Sequence, residues 1–343
     1  MNRDAASALA RRLRRQADAC TQLGSPFYGA LLQAAAADLE ADGPVWDVLA
    51  GFAGESSRSA ISLRLMGAVH RLVLDGSLPG LASHYPSVGG DGDATAAWPP
   101  LRQALSDRRE EITRIVSRGC QTNEVGRSAA LLGGFLEVAH RTRLPLRILE
   151  IGASAGLNLR WDRYRYEAPG GAWGDPDSLV RFAHSFDVPP PLNRIADVVE
   201  RRGCDLQPID PGSEEGALVL RSLIWADQLG RLATLDGAIA IAADMPLEVE
   251  RLGAASFLER ELVEPRRGVA TVVYHSVFMQ YVSEAERARI ADAIAGATAR
   301  ATPQAPFFHL SMEPGVDTFE VRLGEELLGE SLAHGTRVVW LVP

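Results

Sequence analysis

The chain has 343 residues, of which 46% are hydrophobic and 23% charged, a composition typical of a globular protein large enough for two domains. Its formal net charge of −9 argues against a general nucleic-acid-binding protein, because such proteins carry a basic surface that neutralises phosphates. The three cysteines lie far apart without a C-x-x-C pair, which argues against a disulfide framework and against a zinc site.

Signal peptides and membrane spans are recognised by runs of apolar residues. The N-terminal run MNRDAASALARRLRRQADAC lacks the apolar core of a signal peptide. No stretch reaches the ~18 consecutive apolar residues of a membrane span. We therefore expect a cytoplasmic protein that does not work in a membrane.

The first part of the chain, residues 1–140, is predicted to form an all-helical N-terminal domain. Segments 25–42 and 61–76 place apolar residues at helical spacing, and each ends at a glycine-containing breaker. Residues 78–100 are rich in Gly, Pro and Asp and predict a long loop. Helix then resumes, and a last helix, QTNEVGRSAALLGGFLEVAHRT, leads into the second domain.

Residues 141–343 show a different pattern, in which short apolar strands alternate with helices. This alternation predicts an α/β domain with a mostly parallel sheet covered on both faces and an antiparallel C-terminal strand. One long helix is predicted over residues 214–243, and an insertion over about 166–196. The predicted strands are LRILEIG, VVERRGCDL, LEVERLG, GVATVVYHS, APFFHLSM, TFEVRLGEE and TRVVWLVP, of which the last two could pair with each other.

The loop GASAG after the first predicted strand permits two chemistries. Gly-x-Ser-x-Gly is the nucleophile elbow of serine hydrolases, with Ser154 as the nucleophile, but such enzymes have several strands and an oxyanion loop ahead of the serine. Here everything before Leu146 is predicted helix, and Glu150 has no role in an elbow. His275, His309 and His334 lie downstream of the loop, so a catalytic triad stays an alternative.

In a cofactor-binding loop each residue has a role. Gly152 and Gly156 let the backbone approach a ligand, and the following helix N-terminus favours a carboxylate. Glu150 at the strand end can accept from an ammonium group, so the pattern favours the amino-acid end of S-adenosylmethionine. The predicted cofactor-binding residues are Glu150, Gly152, Ala153, Ser154, Gly156, Asn158 and Asp205.

Asp205 ends the second predicted strand, where a carboxylate would bind the two ribose hydroxyls of the cofactor. It follows Gly152 by 53 residues, against about 20 in a compact dinucleotide-binding unit, and this gap requires the predicted insertion. A solvated turn residue is the alternative for Asp205. The sequence also leaves open whether Asp205 or Asp210 contacts the ribose.

Five motifs together resemble a known family: QTNEVGRSAALLGGFL, LEIGASAGLNLRWDRYRY, GDPDSLV, RRGCDLQPID and LIWADQLGRLATLDGAI. They resemble bacterial domain-of-unknown-function family 2332, and the likeness covers nearly the whole chain. That family is similar in fold to S-adenosylmethionine-dependent methyltransferases and carries a helical N-terminal part. The resemblance thus implies a Rossmann-like methyltransferase-type sheet, and it implies little about the substrate.

Candidate reaction-site residues lie at or just after the ends of the fourth and fifth predicted strands. His275 is predicted to be a general base, because the ordinary pKa of histidine lies near working pH. A structural hydrogen bond is the alternative role for His275. Ser276 and Tyr281 are predicted substrate contacts, and Glu313 in SMEPG is a further candidate carboxylate.

The polar run before the last N-terminal helix supplies three more candidates. Thr122 or Asn123 is expected to cap this helix, which would then run from Glu124. Glu124 and Arg127 would share one helix face at i, i+3 spacing and are predicted catalytic contacts, with Asn123 contacting the substrate. A cap with an exposed first turn is the simpler alternative.

These expectations converge on methyl transfer from S-adenosylmethionine to a small-molecule acceptor, without a metal and without a nucleic-acid partner. A serine hydrolase using Ser154 is one alternative. The other is a non-catalytic protein on the same fold, for which we expect ligand binding without turnover or a crevice filled by side chains. The acceptor and the oligomeric state stay open.

Overall fold

The computed structural model describes residues 3–56, 59–119 and 121–342. The chain divides into two compact units. The helical unit comprises residues 1–122 and 213–233, and the sheet unit comprises residues 123–212 and 234–343. The sequence predicted a single boundary at residue 140. In the structure the chain enters the sheet unit at residue 123, leaves it at residue 213 and returns to it at residue 234.

The N-terminal part of the helical unit is built from seven helices in the described ranges. They are α1 Arg3–Gln22, α2 Pro26–Glu40, α3 Pro44–Leu49, α4 Ile61–Leu74, α5 Pro79–Ala82, α6 Ala94–Asp107 and α7 Arg109–Val116. The predicted loop at 78–100 is therefore wrong at α5 and again from Ala94, where α6 begins. Asp93 caps α6 by accepting from the backbone N–H groups of Thr95 and Ala96.

The rest of the chain alternates between strands and helices. The elements are α8 Arg127–Thr142, β1 Leu146–Ile151, β2 Arg165–Ala168, β3 Gly171–Trp173, β4 Arg181–Phe182, β5 Phe186–Val188, β6 Val198–Asp205, α9 Glu214–Ser222, α10 Leu229–Asp244, β7 Val249–Arg251, α11 Ala254–Glu261, β8 Ala270–Ser276, α12 Glu284–Arg300, β9 Phe307–Pro314, β10 Phe319–Leu323, β11 Glu326–Ser331 and β12 Val338–Trp340. Short 3₁₀ helices lie at Ala50–Phe52, Pro86–Val88, Asn158–Arg163 and Met279–Tyr281.

The described residues of the helical unit share a buried apolar core, to which Trp225 contributes from the returning segment. Next to it, Asp227 accepts hydrogen bonds from Ser25 Oγ at 2.5 Å and from the backbone N–H of Phe27 at 3.1 Å, at the start of α2. These contacts explain why residues 214–243 do not form the single predicted helix. The chain turns between α9 and α10 so that Asp227 reaches α2.

The sheet unit contains a nine-stranded sheet in the order β5-β12-β11-β10-β9-β8-β1-β6-β7. The pairs β1–β6, β1–β8, β6–β7, β8–β9 and β5–β12 are parallel, and β9 to β12 form an antiparallel meander. From β1 the chain adds β6 and β7 on one side and then returns to add β8 and β9 on the other. The order of the strands therefore reverses between β1 and β8.

Side chains alternate between the two faces of this sheet, and different helices pack against each face. Leu149, Ile151 and Val273 pack in one apolar cluster with α11 and α12. Tyr274, which points to the opposite face, contacts Phe135 of α8 edge to face, with 5.1 Å between the ring centroids. This α8 contact is why the predicted boundary at residue 140 fails, since α8 is part of the sheet unit.

The predicted insertion at 166–196 forms a small sheet in the order β3-β2-β4 and then adds β5 to the main sheet. At the C-terminal end, the two last predicted strands do not pair with each other. The unpredicted β11 lies between them, and it pairs antiparallel with both β10 and β12. Within the described ranges, no helix is both long enough and apolar enough to cross a membrane.

Candidate functional site

The loop after β1 leaves the sheet through three residues in the left-handed region. Gly152, Ser154 and Gly156 have φ values of 69°, 51° and 66°. Glycine adopts this conformation freely, whereas at Ser154 it is uncommon and marks a constrained turn. The loop is fixed to the neighbouring strand by a hydrogen bond of 3.0 Å from Ala153 N to the carbonyl oxygen of Cys204.

Asp205 at the end of β6 is the carboxylate that contacts this loop. Its Oδ2 accepts from Ser154 N at 3.0 Å, and its Oδ1 accepts from Gln207 N at 2.9 Å. Asp210 instead accepts from Gly212 N within its own turn. Asp205 therefore lies at the end of a strand, as the sequence predicted, and its side chain fixes the loop.

Glu150 is a buried carboxyl group, with 2% of its surface exposed. Its Oε2 accepts a hydrogen bond of 3.1 Å from the hydroxyl of Tyr274 on the neighbouring strand. Burial raises the pKa of Glu150 to about 8; the Tyr274 hydrogen bond opposes this rise, and the negative charge of Asp205 adds to it. Near neutral pH the group is therefore mostly protonated.

The polar run before α8 forms hydrogen bonds with Leu157 and Asn158, which directly follow the β1 loop. Asn123 Oδ1 accepts from Leu157 N at 2.9 Å, and Asn158 Nδ2 donates to the carbonyl oxygen of Glu124 at 3.2 Å. Ser128 Oγ donates to Asn158 Oδ1 at 2.7 Å. Asn123 and Asn158, both predicted ligand contacts, are thus bound to backbone atoms and hold two segments together.

Glu124 and Arg127 do not share a helix face as predicted, because α8 begins only at Arg127. Asn123 does not cap it, since its side chain bonds Leu157 instead. Glu124 is buried, and its Oε1 accepts from Gly126 N at 3.3 Å. Arg127 donates to the carbonyl oxygen of Ser276 at 3.2 Å and so links the start of α8 to the end of β8.

His275 lies in a buried chain of hydrogen bonds at the end of β8. Its Nδ1 is 2.7 Å from Glu313 Oε1, and its Nε2 is 3.0 Å from Nε2 of His309. Burial and the neighbouring His275 lower the pKa of His309 to about 3, so His309 stays neutral at physiological pH. His275 shares a sheet face with Val273 because side chains alternate along β8, and Glu150 and Tyr274 lie on the other face.

The chain after β8 continues into a strained turn. Val277 has a φ of 51°, which is a rare value for a β-branched residue. The next residue, Phe278, packs its ring against Gly152, and a Cβ added to Gly152 would lie 2.2 Å from Phe278 Cδ2. Ser276 contributes its backbone carbonyl to the Arg127 contact, while Tyr281 is 57% exposed.

Ser154 does not form the contacts of a catalytic serine in this structure. Its Oγ is buried and has no hydrogen-bond partner among the described residues. Both ring nitrogens of His275 are bonded to Glu313 and His309. A serine nucleophile needs a general base, most often a histidine, within hydrogen-bond reach, so hydrolysis would require a rearranged site.

Sequence reasoning missed three side chains of this region, namely Tyr274, Phe278 and Arg160, and it considered His309 only as a possible triad partner of Ser154. Glu150 and Tyr274 are paired in register on β1 and β8, and the alternation of side chains along these strands is the signal that could have identified Tyr274. Arg160 is buried, donates to the carbonyl oxygens of Gly156 and Met245, and has its pKa lowered mainly by burial.

Arg160 also lines a groove of about 610 Å³ next to the loop. The remaining lining residues belong to segments 208–212 and 242–249. Within the described ranges, no three His, Cys, Asp or Glu side chains are placed to hold a metal ion.

Comparison with protein-family models gives one match over residues 10–340, to a family described as "Uncharacterized protein conserved in bacteria (DUF2332)". The match spans nearly the whole chain, so the family resemblance indicated by the sequence motifs is confirmed. No curated protein and no solved structure matches the chain.

Proposed function

The chain belongs to the bacterial family DUF2332, and we propose that its sheet unit binds S-adenosylmethionine and transfers the methyl group to a small molecule. The observation that carries this proposal is the loop 152–156. It has three left-handed residues, lies directly after β1, and has a buried carboxyl group, Glu150, on one side and Asp205 on the other.

The strand order supports a Rossmann-like methyltransferase fold. Numbered along the chain, the parallel strands β1, β6, β7, β8 and β9 lie in the spatial order 3-2-1-4-5, and the antiparallel β10 follows at the side of β9. This is the order of doubly wound nucleotide-binding sheets. Such sheets bind ligands beyond the carboxyl ends of the strands where the order reverses, which here lies between β1 and β8.

The side chains at this point suit the polar groups of S-adenosylmethionine. Glu150 would accept from the ammonium group, and the buried Ser154 hydroxyl, which has no partner among the described residues, would supply a hydrogen bond. Each Asp205 oxygen accepts one backbone N–H, and a carboxylate has about four acceptor positions. Asp205 thus retains acceptor capacity for two ribose hydroxyls.

When bound, S-adenosylmethionine supplies an electrophilic methyl group on a sulfonium sulfur. The work left to the chain is to hold the acceptor in line with that methyl group and to exclude water, which can provide most of the acceleration. Arg127 contributes by holding the end of β8 through the Ser276 carbonyl. His275 could take a proton only through Nε2, which faces His309 in this structure.

The net charge of −9 favours a small acceptor over a nucleic acid, because a polyanion would be repelled. A serine hydrolase has no comparable support, since the Ser154 hydroxyl contacts no histidine among the described residues.

Calorimetric titration with S-adenosylmethionine and S-adenosylhomocysteine tests the proposal. We expect micromolar binding to the wild type and a loss of at least tenfold in affinity in Asp205→Asn, which removes one carboxylate oxygen. Gly152→Val should abolish binding, because its Cβ and φ of 69° are incompatible with the loop.

Asp210→Asn is the matched control, since Asp210 lies five residues further on and bonds its own turn. It should bind like the wild type, and circular dichroism should show that all variants are folded. Absence of binding heat and of a thermal shift in the wild type would refute the cofactor proposal. A fluorophosphonate probe that labels Ser154 would then favour the hydrolase.

A further inference from the structure

Phe278 occupies the space that a ligand would need at Gly152. A Cβ on Gly152 would lie 2.2 Å from Cδ2 and 2.7 Å from Cε2 of the Phe278 ring. No ligand heavy atom can therefore approach the α-carbon of Gly152 from this side while the ring stays in place. The position of Phe278 and close ligand contact with this side of Gly152 exclude each other.

Glu313 holds the backbone that carries this ring. Its Oε1 accepts from His275 Nδ1 at 2.7 Å, from Phe278 N at 2.9 Å and from Met279 N at 3.2 Å. Hydrogen bonds to an ionised acceptor are the stronger kind. We call these three hydrogen bonds the Glu313 latch.

The turn that the latch holds is strained. Val277 is β-branched and has a φ of 51°, while its N–H is bound to the carbonyl oxygen of Met312 at 2.8 Å. Such a conformation persists only where the surroundings enforce it, and such residues cluster at active sites, ligand clamps and switch regions. Release of the latch would let Val277 relax and would move Phe278 with it.

We propose that Phe278 is a gate over Gly152, closed by the Glu313 latch, and that a nucleoside-type ligand binds only after Phe278 has moved away. This inference rests on the proposed function for the identity of the ligand. Glu313 and His275 are then positioning residues, which act on binding through the backbone of residues 277–279.

Alkylation of a cysteine at position 278 measures the gate without any ligand. Phe278→Cys is made in a Cys120→Ser background, where the remaining cysteines, Cys20 and Cys204, are buried. Adding Glu313→Ala should raise the alkylation rate at least tenfold, because it removes all three latch bonds. Glu313→Gln, which keeps one acceptor oxygen, should raise it less.

Glu320→Ala is the control, since Glu320 lies on the adjacent strand β10 and pairs with Arg322. It should leave the alkylation rate unchanged. Equal rates for Glu313→Ala and Glu320→Ala would overturn the gate, and so would a fully reactive cysteine at position 278 without any change at Glu313.

Titration with S-adenosylhomocysteine provides the second readout. Phe278→Ala should bind at least threefold more tightly than the wild type, because no ring has to be displaced. Equal or weaker binding in Phe278→Ala would show that Phe278 is not a gate. If neither protein binds while the alkylation result holds, the cofactor proposal fails and the gate stands.

Discussion

Glu150 shows how burial can change the chemistry of one carboxyl group. It is enclosed between β1 and β8 with the Tyr274 hydroxyl as its hydrogen-bond donor, and its pKa lies at about 8. A cationic ligand group would lower that pKa and release a proton on binding. The same burial affects folding, because the unfolded chain returns Glu150 to its ordinary pKa.

Replacing Glu150 by glutamine should therefore change how stability depends on pH. Between about pH 4.5 and pH 8 the folded wild type holds a proton that the unfolded chain has lost, so its stability falls as pH rises through this window. Glu150→Gln cannot titrate. Relative to the wild type it should gain about 1–4 kcal/mol between pH 4.5 and pH 8, since one pKa unit corresponds to about 1.4 kcal/mol.

Urea denaturation at several pH values measures this difference. Glu264→Gln, at an exposed glutamate, is the control and should follow the wild type at every pH. A constant stability difference between Glu150→Gln and the wild type from pH 4.5 to pH 8 would mean that Glu150 is not the titrating group.

For Asn123 and Asn158 the sequence predicted the location of the side chains but not their hydrogen-bond partners. The sequence identified both as polar residues near the loop, and the structure places both there. Their side chains bond backbone atoms of segments more than 30 residues away, Leu157 N and Glu124 O. A polar residue type indicates that hydrogen bonds are needed, but the partner is decided by tertiary contacts.

Strand β1 carries a buried ion pair, which makes a prediction about the sheet. Arg147 donates to Glu261 Oε2 at 2.5 Å and to Glu200 Oε1 at 3.0 Å, and the Arg147 and Glu261 side chains are 3% and 6% exposed. Arg147→Met should destabilise the protein by about 2–4 kcal/mol in urea denaturation, because it leaves Glu261 buried with weaker compensation.

The double variant Arg147→Met, Glu261→Met should lose less than Arg147→Met alone, since it removes both charges. Arg289→Met, which breaks an exposed pair with Glu259, is the control and should cost at most about 1 kcal/mol. A larger loss in the double variant than in the single one would show that the pair itself stabilises the sheet.

The strands that the sequence predicted best are the buried parallel ones. GVATVVYHS and LRILEIG are mostly β-branched or apolar and became β8 and β1. β11, ELLGES, was missed because it contains a glycine, two glutamates and no β-branched residue, and only pairing on both sides makes it a strand. The residue pattern thus predicts the buried parallel strands, whereas a strand such as β11 depends on pairing with its neighbours.

At the scale of the whole molecule, the helical unit is assembled from two separate pieces of chain. Trp225 is part of its core, and Asp227 binds the start of α2. A fragment of residues 1–122 should therefore lack cooperative thermal unfolding when followed by circular dichroism. Adding a peptide of residues 213–233 should restore it.

The same peptide with Asp227→Ala and Trp225→Ala is the matched control and should have little effect. Cooperative unfolding of the 1–122 fragment by itself, unaffected by either peptide, would show that the returning segment is dispensable for the helical unit.

This divided construction has a consequence for how the chain is made. The helices of residues 3–116 leave the ribosome first, but the segment that completes their core begins only at residue 213. At about 5–20 residues per second, translation separates the two pieces by roughly 5–20 s. During that interval the nascent helices expose the surface that Trp225 will cover. A chaperone that binds apolar helices could therefore bind this surface for a time that depends on the rate of elongation.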